Sequence, residues 1–363
     1  MNPKKHRGRI EIIDIAKCIA IFMVVLGHTA SNAELLGDPP MLIKILYSIH
    51  MPLFFFLSGL SISLKPFKDR QEWFFFFRKT VLTIVIPYLL WALLYCNFNF
   101  ENVAWILYGS WNTLGKTGTV TSLWYLPCLF LARILTQLVI SAMARAGKEQ
   151  NRLLYLPPAA VCLVIGVILP DIEIGYPWCF NIAFVAAGCI LAGISARHGL
   201  IKLSVQKGWL LILLLAVTAS VYALTVCLTV STFEIMMMCR GAWGNPFLAL
   251  ILAVLGGFAV MVLSIILKRL ADEWLPDLTL KPLTYLGQHT MGIFLLHKPM
   301  LQILFIPAFA RLFPGAPDIL IRLPAALVAI FVSLWLCMLI EYYIPELVGI
   351  FSKDIIAGKE SAR

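Results

Sequence analysis

Charged residues are scarce in this chain, and their scarcity excludes a water-soluble globule. Only 13% of the 363 residues are charged, whereas 61% are hydrophobic. Soluble domains have about 25% charged and about 45–50% apolar residues. One aqueous core cannot bury this much apolar side chain, so lipid must be the solvent for most of the chain. The composition therefore predicts an all-α, polytopic integral membrane protein.

The motifs of several protein classes are also missing. The nine cysteines show no C-x-x-C and no zinc spacing, so no metal site is predicted. The sequence has no P-loop, no H-E-x-x-H, no dinucleotide-binding glycine fingerprint and no H-x-x-x-x-D. ATP-driven transport, membrane zinc proteolysis and the soluble type of glycerolipid acyl transfer therefore lose support. The net charge of +10 does not indicate a nucleic-acid partner, because the basic residues lie in short breaks between apolar runs.

Ten apolar runs are each long enough for a helical membrane span, which needs about 20 residues. They cover roughly residues 11–31, 41–64, 80–97, 122–143, 153–170, 178–196, 208–230, 246–267, 284–308 and 323–344. The basic residues before the first run resemble the start of a signal peptide. That run is long, however, and no cleavage site follows it, so a retained helix is predicted. We expect one membrane domain over residues 1–363, with spans over about 11–344 and cytoplasmic tails at 1–10 and 345–363.

The distribution of Lys and Arg predicts the orientation of the chain. With the N-terminus in the cytoplasm, 21 of the 29 Lys and Arg residues fall in cytoplasmic segments and four fall in outer loops. Membrane proteins keep such an excess of positive charge in their cytoplasmic loops. The split predicts ten spans in the inner (plasma) membrane of the cell, with both termini in the cytoplasm.

The first span has an unusual set of ionisable residues, which are costly in lipid and are therefore functional candidates. It holds Asp14, Lys17 and His28. At about 100° per residue, Lys17 and His28 lie about 20° apart around the helix axis, and Asp14 lies about 40° from His28. One polar face results, with His28 about 16 Å above Lys17 and toward the outer leaflet. A structural alternative is that Asp14 pairs with Lys17 and His28 caps hydrogen bonds near the interface.

This face suits acyl-CoA, because basic groups at the cytoplasmic mouth would hold its phosphates while the thin pantetheine arm extends toward His28. A neutral His28 would take a proton from an acceptor hydroxyl as the hydroxyl attacks the thioester. In the second span, His50 precedes Pro52, which should loosen the helix, and is expected to orient the acceptor. The adjacent Arg78 and Lys79 are candidates for phosphate binding. Two structural alternatives stay open: His50 serves only in helix packing, and Arg78 and Lys79 serve only as charges that set the membrane topology.

The ninth span contains His297 beside Pro299, so a kink or break is predicted there, with His297 lining a cavity. A structural histidine is the alternative. Arg133 in the fourth span has no partner that the sequence identifies. Ser58 is disfavoured as a nucleophile, because no G-x-S-x-G surrounds it.

These residues resemble the acyltransferase-3 family of membrane acyltransferases, especially the branch of fucose 4-O-acetylase-like proteins. The resemblance extends from Ile10 to about Tyr343. It includes a basic residue, ten intervening residues and a His, which are Lys17 and His28 here. The other similar stretches are residues 50–59, 78–88, 123–126 and 285–297.

The resemblance implies a ten-helix core, acetyl-CoA or another acyl-CoA as donor, and a hydroxyl of a carbohydrate or cell-envelope glycan as acceptor. The expected catalytic residues are His28, Asp14 and His50, the expected coenzyme-binding residues are Lys17, Arg78 and Lys79, and the expected substrate-binding residues are His297 and Trp124. Many relatives have Arg at the position of Lys17, and many space two Arg residues apart where Arg78 and Lys79 are adjacent. Lys lacks the bidentate fork of Arg, so coenzyme binding here would differ in detail.

Two other classes of function stay open. Membrane-buried His, Lys and Asp also suit a proton-coupled transporter or flippase of a sugar or lipid-linked intermediate, although the missing internal repeat weighs against it. A sensory or scaffold protein would keep its function when Lys17 or His28 is replaced. The sequence leaves open the identity of the acceptor, the choice between acetyl and succinyl, and the oligomeric state.

Overall fold

The computed structural model of the protein describes residues 11–31, 34–35, 37–67, 69–117, 120–230, 234–274, 279–352 and 355–356. These residues form helices and no strand, apart from an isolated bridge between Met237 and Ala242. The all-α prediction is confirmed. The helices are α1 (Glu11–Gly27), α2 (Met41–Ser61), α3 (Arg70–Tyr95), α4 (Val103–Tyr108), α5 (Trp111–Lys116), α6 (Thr121–Arg145), α7 (Arg152–Ile168), α8 (Pro177–Ser204), α9 (Gly208–Leu228), α10 (Pro246–Glu273), α11 (Lys281–Gln288), α12 (Thr290–Leu312) and α13 (Asp318–Tyr343).

Within the described residues, eight helices are long and apolar enough to cross a membrane, namely α2, α3, α6, α8, α9, α10, α12 and α13. The other two predicted spans, at 11–31 and 153–170, are also helical but shorter, as α1 and α7. The polytopic membrane fold is confirmed, and the count of ten spans stays a prediction.

Ion pairs mark the two ends of the helix bundle. At one end, Lys268 at the end of α10 lies 3.1 Å from Glu11 at the start of α1. At the other end, Arg322 near the start of α13 lies 2.5 Å from Glu34, which follows α1. The two pairs hold α1 and the segment after it to α10 and α13. The orientation inferred from charge stays a prediction. The location of both termini in the cytoplasm stays a prediction, because residues 1–10 and 357–363 lie outside the described residues.

Two glycines allow α2 and α8 to cross at close range. A Cβ atom on Gly59 would lie 2.0 Å from the carbonyl oxygen of Ile190, and one on Gly193 would lie 2.1 Å from that of Phe56. In lipid, helices associate through such close packing because burial from water no longer drives them together. The crossing fixes α2, the helix that contains His50.

Helix α1 lies among five other helices, because it contacts α2, α10, α11, α12 and α13. Most of its side chains are buried. The approach of α11 is especially close, since a Cβ atom on Gly287 would lie 1.8 Å from the carbonyl oxygen of Asp14. The polar face of α1 is therefore enclosed by protein.

Prolines coincide with π-helical turns in two of the long helices. In α3 the π-helical turn Val81–Val85 precedes Pro87, and in α12 the turn Met300–Phe305 follows Pro299. Proline removes a backbone donor, and a wider turn accommodates the loss. The sequence predicts a kink or break at Pro299. Helix α12 does not break there, because it continues through the π-helical turn to Leu312. The interruption instead falls at His289, where α11 ends and α12 begins.

Candidate active site

One face of α1 lines a cavity of about 180 Å³, which we call the Lys17 cavity. Lys17, Ile21 and Val24 stand on this face at a spacing of four and three residues, and His28 follows four residues later. Helices α2, α6 and α12 complete the wall. The other polar side chains that line the cavity are Ser58, Tyr125 and Thr290.

His28 lines a second cavity further along α1, which we call the histidine chamber. Its volume is about 30 Å³, which is room for only a few water molecules. A sugar would have to displace part of the chamber wall in order to enter. Its wall consists of His28, Leu35, Tyr47, His50, Met51, Trp111, Ser122, Trp124, Met236, Met237, Met238, Cys239, Phe294 and Lys298.

The two cavities share a wall. Met51 and Phe294 line both of them. The Phe294 ring lies 5.2 Å from the Tyr125 ring on the side of the Lys17 cavity and 6.0 Å from the His297 ring, measured between centroids. A thin molecule that extends from Lys17 to His28 must therefore pass these two side chains, and methionine is a flexible one.

Three histidines gather at the chamber: His28 directly after α1, His50 in α2 and His297 in α12. The rings of His28 and His297 lie 5.2 Å apart and are tilted by 33°. Tyr47 makes edge contacts with both His28, at 6.3 Å, and His50, at 4.9 Å. His50 is part of the chamber wall, whereas His297 contacts His28 and is itself fully buried.

Backbone hydrogen bonds orient two of the three imidazoles. His50 Nδ1 lies 2.6 Å from the Leu46 carbonyl oxygen, and His297 Nδ1 lies 3.0 Å from that of Ile293. A carbonyl oxygen only accepts, so Nδ1 has the proton and Nε2 is the basic nitrogen of the neutral ring. Nε2 of His297 and Nδ1 of His28 are buried and make no hydrogen bond in the described part of the chain. The chamber therefore offers imidazole nitrogens that are suited to proton transfer.

Sequence reasoning did not assign a role to Lys298 or Thr121. Lys298 is only 6% exposed and lines the chamber. Its Nζ donates a hydrogen bond of 2.6 Å to Thr121 Oγ1. Trp124, which is also buried, lines the chamber three residues after Thr121. The lysine within a predicted span was a usable signal, because such a charge is costly in lipid.

Asp14 lines neither cavity, although it is buried near Lys17 on the same helix. Its Oδ2 accepts a hydrogen bond of 3.3 Å from Gln288 Nε2 at the end of α11. Together with the close approach of Gly287, this bond fixes α11 against the first turns of α1. The expected catalytic role of Asp14 stays a prediction, and its contacts place it at a distance from the histidine chamber.

Arg78 and Lys79 also line neither cavity. They lie in α3, where Lys79 is exposed and Arg78 is half-buried with its Nε unpartnered in the described residues. The guanidinium of Arg133 lies 6.0 Å above the neighbouring Phe76 ring. Leu129, one turn before Arg133 on α6, lines the Lys17 cavity. Arg133 therefore adds a positive charge between the cavity and the first half of α3, which contains Arg78 and Lys79.

The loop between α9 and α10 closes the chamber with Met236, Met237, Met238 and Cys239. Burial raises the pKa of the Cys239 thiol to about 12, although the nearby Lys298 ammonium acts in the opposite direction. The thiol therefore stays protonated at neutral pH and is a poor nucleophile. In the described residues, no group of three or more His, Cys, Asp or Glu side chains is placed to hold a metal ion.

The fold and the site define a polytopic membrane protein with buried bases next to a cavity that α1 lines. The family model of acyltransferase-3, an acyltransferase domain, matches residues 10–342. The chain therefore belongs to this family and is a membrane acyltransferase. No curated protein and no solved structure matches the chain.

Proposed function

We propose that the protein transfers an acyl group, and specifically acetyl, from acyl-CoA to a hydroxyl of a carbohydrate or cell-envelope glycan at the inner membrane. The observation that supports this proposal is the continuity of one face of α1. That face lines the Lys17 cavity and then the histidine chamber, with Met51 and Phe294 as the shared wall. A donor with a charged head and a thin arm matches this shape.

The donor would enter from the end of the bundle that contains Glu11. The Lys17 cavity is too small for a whole coenzyme, so it would hold part of the pantetheine arm. The phosphates would remain near Lys17, Arg133 and the cationic end of α3, where Arg78 and Lys79 stand. Lysine and arginine both bind phosphate, and arginine does so through its planar fork.

The reaction would take place at the shared wall of the two cavities. His28 takes the proton of the acceptor hydroxyl while the hydroxyl oxygen attacks the thioester carbonyl carbon. The carbon–sulfur bond then breaks, and the sulfur leaves with the electron pair and receives the proton from His28. His50, with Nδ1 bonded to a carbonyl, and Trp124 would position the acceptor.

The proposal is tested with purified protein, radiolabelled acetyl-CoA and envelope glycans. His28→Ala should lower turnover by about 10²–10⁴, because a general base contributes this much. Lys17→Met should instead raise the KM for acetyl-CoA. His198→Ala is a matched control, because His198 is exposed and lies in α8 away from both cavities. Full transfer by His28→Ala would eliminate the assigned base, and sugar uptake without any acyl transfer would identify a transporter.

A further inference from the structure

Lys298 is a buried cation in the chamber where the acceptor would react. It is 6% exposed, and among the described residues its hydrogen-bond partner is Thr121, from Nζ to Oγ1 at 2.6 Å. Thr121 is itself 5% exposed. The threonine hydroxyl satisfies one of the three ammonium donors, so two donors have no partner within the described part of the chain.

The described residues supply no negative charge to this ammonium. The chamber wall contains imidazoles, aromatic rings, methionines, a serine and a cysteine, but no Asp or Glu among the described residues. Lys298 also forms no ion pair with the described carboxylates. Removing a charge from water costs several kcal/mol unless a partner offsets the loss. A partner from outside the chain would provide that compensation.

We propose that Lys298 binds an anionic group of the acceptor, so that the acylated hydroxyl belongs to an acidic carbohydrate with a carboxylate or phosphate nearby. This inference rests on the proposed function. Lysine presents a point charge with rotatable donors and therefore accepts either anion. Thr121 fixes the ammonium on the same wall as Trp124, so that one part of a sugar would contact Lys298 while its hydroxyl faces His28.

The experiment compares three small acceptors that differ in charge: methyl α-glucuronide, glucose 6-phosphate and methyl α-glucoside. Wild type, Lys298→Met and Lys298→Arg are each supplied with acetyl-CoA, and the acetylated sugar is quantified by mass spectrometry. Wild type should prefer at least one charged sugar by about tenfold or more, since hydrogen bonds to charged groups are the stronger ones. Lys298→Met should lose this preference, and Lys298→Arg should keep most of it. The two charged sugars distinguish a carboxylate from a phosphate.

Binding without the donor provides an independent measurement. Each sugar alone is added to the purified protein, and the shift in Tm is recorded for wild type, Lys298→Met and Thr121→Val. A charged sugar should raise the Tm of wild type, and the increase should be smaller in both variants. Because this readout needs no acyl transfer, its result separates this inference from the proposed function.

Three results would overturn the inference. The first is the absence of any preference of the wild type for either charged sugar in transfer or binding. The second is a preference that survives in Lys298→Met. The third is an equal fall in turnover on all three sugars and in acetyl-CoA hydrolysis, which would assign Lys298 to the thioester oxygen. Failure of the proposed function is a different result, namely no acyl transfer from acetyl-CoA to any acceptor by wild type.

Discussion

Burial determines which side chains of the chamber are reactive. Cys239 and His28 line the same cavity, yet the thiol is held in its protonated form, whereas Nδ1 of the imidazole makes no hydrogen bond to the residues that the structure describes. A thiolate is the reactive form of cysteine, so Cys239 is poorly suited to accept the acyl group. The arrangement favours direct transfer to the acceptor over a covalent cysteine intermediate.

Replacement of this cysteine tests the direct route. Cys239→Ala should retain acyl transfer close to the wild-type rate, because the protonated thiol takes no part in the chemistry. The measurement is release of CoA in the presence of acceptor, with His28→Ala as the inactive comparison. Loss of transfer in Cys239→Ala together with an acylated Cys239 in the wild type, detected by mass spectrometry, would establish the covalent route instead.

At the scale of the helices, two close crossings position the site. Gly59 and Gly193 bring α2 against α8, and Gly287 brings α11 against α1. The first crossing fixes α2, which contains His50. The second fixes the first turns of α1, the helix that contains Lys17. Neither cavity is lined by these glycines, so the helices that form the cavity walls depend on packing contacts outside the cavities.

Replacing a glycine of α8 by alanine should lower the stability of the protein only where that glycine packs against another helix. Gly193→Ala would place a Cβ atom 2.1 Å from the Phe56 carbonyl oxygen, and such overpacking costs about 1–3 kcal/mol. Gly199→Ala is the matched control on the same helix, because its Cβ would meet nothing within 4 Å. Thermal unfolding in detergent should show a lower Tm for Gly193→Ala and no decrease for Gly199→Ala. Equal Tm values would refute the close crossing.

At the scale of the whole molecule, the two cavities lie toward opposite ends of the bundle. The charge distribution predicts that the Glu11 end faces the cytoplasm, where acyl-CoA is available. The structure pairs Glu11 with Lys268 at one end and Glu34 with Arg322 at the other. The Lys17 cavity lies closer to the first end and the histidine chamber closer to the second.

Labelling from outside the cell tests this orientation. Lys148→Cys lies between α6 and α7 and Glu173→Cys lies between α7 and α8, and both positions are exposed. A membrane-impermeant maleimide added to intact cells should label Glu173→Cys and leave Lys148→Cys unlabelled until the cells are opened. The unsubstituted chain is the control for the native cysteines. The opposite labelling pattern would reverse the predicted entry side of the donor.

The sequence by itself determined the membrane class, the positions of the helices and the shared face of Lys17 and His28. These features depend on local hydrophobicity and on the fixed rotation per residue of a helix, which need no knowledge of distant contacts. The sequence also selected His50 and Trp124, both of which the structure places at the chamber.

Only the tertiary structure decided which of the ionisable residues share a cavity. Lys298 and Thr121 are 177 positions apart and form a hydrogen bond beside the chamber. Asp14, in the helix that leads to His28, accepts a hydrogen bond from Gln288 away from the chamber. Such pairings depend on how closely the helices cross and at which residues. For Asp14 and Gln288, the close approach of Gly287 to the backbone of Asp14 sets that crossing. The polar groups that meet inside a membrane bundle are therefore a property of its packing.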